Sequence, residues 1–249
     1  MMTKKRINLF SIPIDALTMQ ETLEVVGNAI DTKKQLHHTV VNAGKIVLMQ
    51  DDPELFKSVC EADLINADGQ AVVWAAKLLG QKLPERVTGI DLMENLVAYA
   101  ADKRYKVFFL GAAEDVLTSV VSIYSKKYSR EIVAGYHHGY FEKEEERKIA
   151  NLISNSEPQI LFVAMSSPKK EIFLHNYKSL FRNVNFVMGV GGSFDVIAGR
   201  VKRAPIWMQF FGLEWLYRLI QEPRRMWKRY TVGNMRFIGL VIREIFNGK

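Results

Sequence analysis

The residues able to do chemistry in this chain are few and far apart. NADG at 66–69 sets Asp68 between an apolar run and an Ala-rich segment. At such a junction a carboxylate either caps the helix or faces a cleft as a general base, and capping is the commoner use. GVGGSFD at 189–195 contains Gly191, Gly192 and Asp195 and offers backbone N–H groups to an anion at a helix start. It departs from the dinucleotide fingerprint, because the sixth position counted from Gly189 is Phe194 and no strand-helix-strand unit follows. NAGK at 42–45 lacks the first glycine and the Ser/Thr of a P-loop. NAD and ATP are therefore disfavoured, and no cofactor is expected. The five histidines (His37, His38, His137, His138, His175) have no metal-binding spacing, and the single cysteine, Cys60, reads as a buried small hydrophobe, so no metal site is expected. Nor is there an Asp-x-Asp pair to hold a magnesium-bound diphosphate. A metal-free site for such a group would need protein cations. Arg86, just ahead of Thr88-Gly89, and the Lys169-Lys170 pair after Pro168 are the candidates, although most Lys and Arg are simply solvated.

The elements that must position these residues alternate short apolar runs with amphipathic stretches. That is the pattern of an α/β fold, Rossmann-like, with a mainly parallel sheet flanked by helices. Strands are predicted at 38–43, 63–67, 106–111, 131–135, 159–165 and 185–191. Thr18 with Glu21 forms a capping box at a helix start, and Thr88 with Asp91 approximates one. Open α/β sheets bind ligands outside the carboxyl ends of their strands. Those ends carry Asn42, Asp68, Gly111, Gly135 beside Tyr136, the Ser166–Pro168 turn, and Gly191 with Gly192. We take Asn42, Gly111, Tyr136, Gly191, Gly192 and Asp195 as substrate-binding candidates, although glycine at a strand end is also ordinary turn punctuation.

Length and composition agree with one large α/β domain carrying an appendage: 249 residues, 48% apolar and 24% charged. The single cysteine suits a reducing compartment, the basic N-terminus lacks the apolar run of a signal peptide, and no apolar stretch is long enough to cross a bilayer. The net charge of +7 is unevenly placed. Residues 200–249 carry +8, with 11 basic and 3 acidic side chains, and the other 199 residues sum to −1. We therefore divide the chain into a catalytic α/β domain, 1–200, and a basic amphipathic helical appendage, 201–249. In the appendage Trp207, Phe210, Phe211, Trp215 and Leu219 recur with helical spacing beside Arg218, Arg224, Arg225, Lys228 and Arg229. Aromatic anchors on a basic helix are expected to lie in the plane of an anionic membrane surface. A helix docked on the core is the plainer reading, and a nucleic-acid surface is the third, disfavoured by the near-neutral remainder and by the bulk of the apolar residues.

NADG, RVTGIDL, the Ser-Pro-Lys-Lys-Glu turn, MGVGGSFDVIAGRVKRAP and GLEWLYRLIQEPRR, in this order over nearly the whole chain, resemble the WecG/TagA/CpsF family of bacterial glycosyltransferases. The resemblance implies inverting, metal-independent transfer from a UDP-sugar to a polyprenyl-diphosphate-linked acceptor sugar. It places the reaction in cell-surface polysaccharide synthesis at the cytoplasmic face of the membrane. N-acetylmannosamine or its uronic acid is the expected donor sugar and N-acetylglucosamine the acceptor, with a UDP-glucose-type transferase as the alternative. It implies that Asp68 is the general base, that Arg86 lies near the diphosphate and that Asn42 falls in a substrate-contacting region. Two departures bear on sugar specificity: Lys170 stands where relatives commonly carry Gln, and Val40 where some carry Thr. Lys170 thus joins Asp68 and Arg86 as a catalytic candidate. The arginines Arg218, Arg224, Arg225 and Arg229 are expected to reach the UDP leaving group, and Trp207 and Trp215 to anchor the membrane. A peripheral nucleotide-sugar sensor or scaffold without catalysis is the competing class, and a homo-oligomer is compatible with either.

Overall fold

The computed structural model describes residues 5–247, apart from the side chains of Arg225, Met226, Lys228, Arg229 and Asn247. The chain opens with a hairpin of β1 (Arg6–Leu9) and β2 (Ile12–Asp15), which the sequence analysis did not foresee. Its two-residue turn places Phe10 and Ser11 at φ 53° and 62°. A turn with both central residues at positive φ is usually marked by Asn-Gly or Asp-Gly, and here that mark is missing. Asp15 ties the hairpin down, accepting from Arg6 Nε at 2.9 Å and from the Ile65 N–H at 2.8 Å.

α1 (Met19–Asp31) follows, with the Thr18–Glu21 capping box formed as expected. Next come β3 (Leu36–Val41), α2 (Ala43–Asp51), α3 (Pro53–Cys60), β4 (Leu64–Ala67), α4 (Gln70–Leu78) and α5 (Gly89–Lys103). Then follow β5 (Val107–Gly111), α6 (Glu114–Lys127), β6 (Val133–His137), α7 (Glu146–Asn155), β7 (Ile160–Ala164), α8 (Lys169–Asn176) and β8 (Phe186–Gly189). The last helices are α9 (Ser193–Ile197), α10 (Ile206–Phe210), α11 (Glu214–Gln221) and α12 (Pro223–Asn247). All six predicted strands are present, in the order β4-β3-β8-β7-β5-β6 and parallel throughout. β3, β4, β5, β7 and β8 are wholly buried. That is why their sequences are continuous apolar runs rather than alternating ones.

Helices cover both faces. α1, α5, α6 and Phe194 of α9 pack on one face, with Val107, Phe109, Phe162, Phe186 and Met188 beneath them. The other face carries α2, α3, α4 and the hairpin over Val41 and Ile65 at one end, and α7 and α8 over Phe108, Leu161 and Val187 at the other. α12 returns across α2, where Phe237 and Val241 enter the core and the Phe237 ring meets Phe10 edge-on at 5.7 Å. Arg236 adds a two-pronged ion pair to Asp51, at 2.7 and 2.9 Å. No helix among the described residues is long and apolar enough to cross a membrane.

Candidate active site

The strand order lays the sequence candidates out along the carboxyl edge of the sheet. Asp68 follows β4 at one margin, Asn42 follows β3, Gly191 and Gly192 follow β8, and Lys170 is the second residue of the helix after β7. Gly111 ends β5, and Tyr136 lies in β6 at the far margin. With strands about 4.8 Å apart, Asp68 and Tyr136 stand five spacings, or about 24 Å, from each other. Their elements hold them at opposite ends. The helix after β8 crosses to one face while those after β3 and β7 cross to the other. A crevice opens over the end of a strand whose neighbours turn away in this manner.

Asp68 does not cap the helix that follows it. The N-cap of α4 is Gly69, whose φ of 142° suits only glycine, and no side chain caps the helix. The half-buried carboxyl of Asp68 instead faces the Gly89 N–H at the start of α5. Burial pushes its pKa up, the Glu214 carboxylate pushes the same way, and the Gly89 N–H, Arg218 and Arg86 pull back without cancelling the rise. The result is a carboxylate of increased basicity with two guanidinium groups in its field.

Arg86 meets the appendage. It donates to Glu214 through a short ion pair and to the Gln209 carbonyl at 2.8 Å. Arg203 grips Asp91 with both Nη groups, at 2.6 and 2.7 Å, and stands 3.9 Å from Glu214. Thr88, the N-cap of α5, bonds the same Asp91. Burial raises the Asp91 carboxyl, but Arg203 and Thr88 outweigh it and hold the pKa below the ordinary value. Arg203, Glu214 and Arg218 line one small cavity. Sequence reasoning singled out Arg218 and Arg86 but missed Arg203 and Glu214. RAP and GLEW contained them, yet only the fold shows that Glu214 meets Arg86 beside Asp68 and that Arg203 meets Asp91 and Glu214.

Lys170 sits in a second cluster that the sequence did not reveal. Glu171 Oε1 accepts from Lys45 at 2.7 Å and Lys170 at 2.8 Å, and Ser167 Oγ bridges Lys170 and Glu171 at 2.6 and 2.9 Å. Lys45 also donates to the Val40 carbonyl at 2.5 Å. The side chains of Lys45, Glu171 and Lys170 are only 5, 4 and 8% exposed. Burial alone would raise the Glu171 carboxyl, but the two ammonium groups overcome it and hold its pKa down to about 2. Among these three side chains there is a surplus of one positive charge. The cluster adjoins the β8 end, where the Lys170 stem would lie 3.0 Å from a Cβ placed on Gly189.

The other candidates occupy more ordinary surroundings. Asn42 caps α2, its Oδ1 accepting the Lys45 N–H at 3.0 Å. Gly111, at φ 117°, is brought against the backbone of Ala164, so the close approach it permits is by the end of β7. Gly191, at φ 54°, has open space where a side chain would stand, and Gly192 begins α9 beside Asp195. Tyr136 is exposed. In the appendage Trp207 is exposed, Trp215 lies 5.9 Å from the Tyr230 ring, and Arg224 is exposed. The side chains of Arg225 and Arg229 lie outside the described residues.

A parallel doubly wound sheet with a basic carboxylate among arginines at its carboxyl edge suits a group-transfer enzyme acting on an anionic donor. Comparison with known proteins specifies which kind. The model of the WecG/TagA/CpsF glycosyltransferase family matches residues 7–249, and the chain belongs to that family and is a glycosyltransferase. It is 40% identical over 178 residues to the N-acetylglucosaminyldiphosphoundecaprenol N-acetyl-beta-D-mannosaminyltransferase of Bacillus subtilis (strain 168), covering 72% of this chain and 68% of the relative. The protein of the same description from Bacillus spizizenii is 39% identical over the same shares.

Proposed function

We propose that this chain moves N-acetylmannosamine, or its uronic acid, from a UDP-sugar to N-acetylglucosamine carried on a polyprenyl diphosphate. The observation that carries this reading is the position of Asp68. Its carboxylate is released from helix capping, made more basic by its surroundings, and set beside Arg86 and Arg218. Inverting transfer calls for such a pairing. Asp68 takes the proton of the acceptor hydroxyl as that oxygen bonds to the anomeric carbon. The bond from that carbon to the diphosphate oxygen breaks, and UDP leaves with the electron pair. Arg86, with Arg218, Arg224, Arg225 and Arg229 of the appendage, stabilises the charge that collects on the diphosphate. The buried positive charge around Lys170 acts on the donor from the other side of the crevice. Asn42, Gly191, Gly192 and Asp195 contribute to the donor and acceptor surfaces, whereas Tyr136 at the far margin and Gly111, packed on Ala164, stand away from Asp68 and could meet only the distal end of a long substrate.

The identity of two relatives acting on undecaprenol-linked N-acetylglucosamine supports the acceptor. Support for membrane docking comes from the appendage, where Ile206 is 84% exposed, Phe210 81% and Trp207 and Phe211 about three-fifths. Apolar side chains held in water beside arginines favour insertion at an anionic interface. We place the reaction at the cytoplasmic face, with 1–200 as catalytic domain and 201–249 as docking appendage. Docking confines the enzyme to the surface that carries its acceptor and so raises the effective concentration of that acceptor. A donor panel tests the whole reading: UDP-N-acetylmannosamine, its uronic acid, UDP-glucose and UDP-N-acetylglucosamine, each with a synthetic lipid-diphosphate N-acetylglucosamine. Product from one of the first two supports it. Product from UDP-glucose alone replaces the donor, and nucleotide binding without turnover on any donor makes the protein a sensor.

A further inference from the structure

Arg86 is the guanidinium assigned above to the donor diphosphate, yet both of its recorded partners are on the appendage: the Glu214 carboxylate and the Gln209 carbonyl. Glu214 is itself surrounded by cations. Beyond Arg86 it stands 3.9 Å from Arg203 Nε, a buried nitrogen with no hydrogen-bond partner among the described residues. Arg218, one turn along α11, borders the same small cavity. The three guanidinium groups and Lys202, which lines the same cavity, stand against Glu214, Asp91, Asp68 and the Glu94 that acts on Arg203, four positive charges to four negative. A diphosphate entering a neutral set gains little unless one resident carboxylate gives up its place. Asp91 is held by two hydrogen bonds from Arg203 and one from Thr88, and Asp68 is the base. Glu214 is the carboxylate whose one hydrogen-bond partner among the described residues, Arg86, is also the guanidinium assigned to the diphosphate.

We propose that Glu214 is a built-in stand-in for the donor diphosphate, holding Arg86 while the site is empty and releasing it when the donor binds. The inference rests on the reading under Proposed function, in which Arg86 grips the diphosphate. Glu214 is then a positioning residue: it keeps a buried-edge guanidinium oriented and neutralised without touching the reacting atoms. Losing this one contact does not free the appendage, because Arg203–Asp91 and Arg236–Asp51 remain. The exchange is a local swing of one side chain, in which a charge-assisted hydrogen bond to carboxylate is replaced by one to phosphate.

Calorimetric titration of the full-length protein with UDP and with uridine tests this. Wild type should prefer UDP over uridine. Glu214→Gln, which keeps the shape and removes the charge, should bind UDP about tenfold more tightly and leave uridine unchanged, since the competitor for Arg86 has been weakened. In an Arg86→Met background the same substitution should have no effect on UDP, because the contested group is gone. Should the Gln variant fail to fold, Glu214→Asp, which withdraws the carboxylate by one methylene, should tighten UDP in the same direction by a smaller factor. UDP binding that is unchanged or weaker in a folded Glu214 variant overturns the inference and leaves the proposed function standing. So does equal tightening with Arg86 removed. A wild-type protein that does not distinguish UDP from uridine overturns both.

Discussion

The carboxyl edge of the sheet and the appendage are both at the candidate site, but they are held there by different forces. β3 buries all six of its residues, and Asp68 inherits its position from β4, which is buried along its whole length. α11 buries none of its eight residues, yet Glu214 and Arg218 come from it. Where it meets the sheet edge its contacts are polar, Arg86 to Glu214 with Arg203 to Asp91 beside it, among groups between about one-sixth and one-third exposed, while the appendage as a whole is also anchored by Phe237 and Val241 of α12 in the core. Hydrophobic burial is indifferent to ionic strength, whereas partly exposed ion pairs weaken as salt rises. One half of the site is therefore seated by burial and the other in part by ion pairs that salt can loosen, which suits the surface docking proposed for the appendage.

The largest expected effect breaks the half seated by burial. Asp68→Asn should lower turnover by about 10²- to 10⁴-fold, the usual cost of losing a general base, while UDP titration stays close to wild type. Wild-type turnover in that variant would remove Asp68 from the chemistry. The next breaks the half seated in part by ion pairs. Truncation after Gly199 removes Glu214, Arg218 and Arg224 together, and should reduce turnover by about 10²-fold or more even with a short, water-soluble acceptor. It should also abolish pelleting with anionic liposomes. Full activity on the soluble acceptor would mean that the appendage only localises the enzyme. Because Phe237 and Val241 lie in the core, the truncated protein should melt at a lower temperature than the full chain.

The two halves were also unequally legible in the sequence. Five of the six parallel strands could be placed because a strand buried on both faces is written as an apolar run, and their ends then brought Asp68, Asn42, Gly191 and Lys170 to one edge; β6, the partly exposed edge strand, carries a weaker signal. The β1–β2 hairpin could not. Phe10 and Ser11 adopt positive φ without glycine or asparagine, and the packing of Phe10 against Phe237 some 227 residues later is a tertiary contact that no local pattern reports. The same limit hid Lys45–Glu171–Lys170 and Arg86–Glu214. Each is an ion pair between elements distant in the chain, and charged residues in a sequence look alike whether they are solvated or paired. The capping reading of Asp68 gave way for a related reason: Gly69 at φ 142° turns the chain so that the side chain points at α5 rather than α4.

A smaller effect distinguishes the buried sheet from the site by its response to acid. His37 and His38 on β3 are both buried, and burial is the main reason their pKa values fall to about 4 and about 3. A histidine whose folded pKa is depressed takes up its proton only on unfolding. Stability is therefore complete above the unfolded value near 6.5 and declines as the pH falls toward 4, by about 1.4 kcal/mol per pH unit for each histidine. Glu171 adds a second decline between about 4.5 and about 2, where its carboxylate must be protonated on unfolding before it is protonated in the fold. Denaturant titrations from pH 7.5 to 4 should show the histidine slope, and His38→Gln should reduce it by about half if the variant folds. An unchanged slope would mean that acid acts elsewhere.

The smallest expected effect concerns Lys170, and it bears on which sugar is transferred. Its ammonium is not presented to the crevice as an isolated charge, because Glu171 and Ser167 both hold it. Among the three side chains Lys45, Lys170 and Glu171 the surplus is one unit of positive charge, in a dry setting where screening is weak, and the proposed function aims it at the donor. Lys170→Gln should leave Lys45 and Glu171 as a neutral pair and so remove that unit. A donor whose sugar carries a carboxylate has one more negative charge to lose by this change than a neutral sugar has. The KM for UDP-N-acetylmannosaminuronic acid should accordingly rise several-fold, and that for UDP-N-acetylmannosamine by less, with kcat nearly unchanged for both, since the loss falls on binding and not on the proton transfer at Asp68. Measured side by side on the two donors, a common factor would show that the charge acts on the shared diphosphate or on the fold alone. A rise confined to the acidic donor would assign this edge of the sheet to sugar selection, leaving leaving-group stabilisation to the appendage arginines.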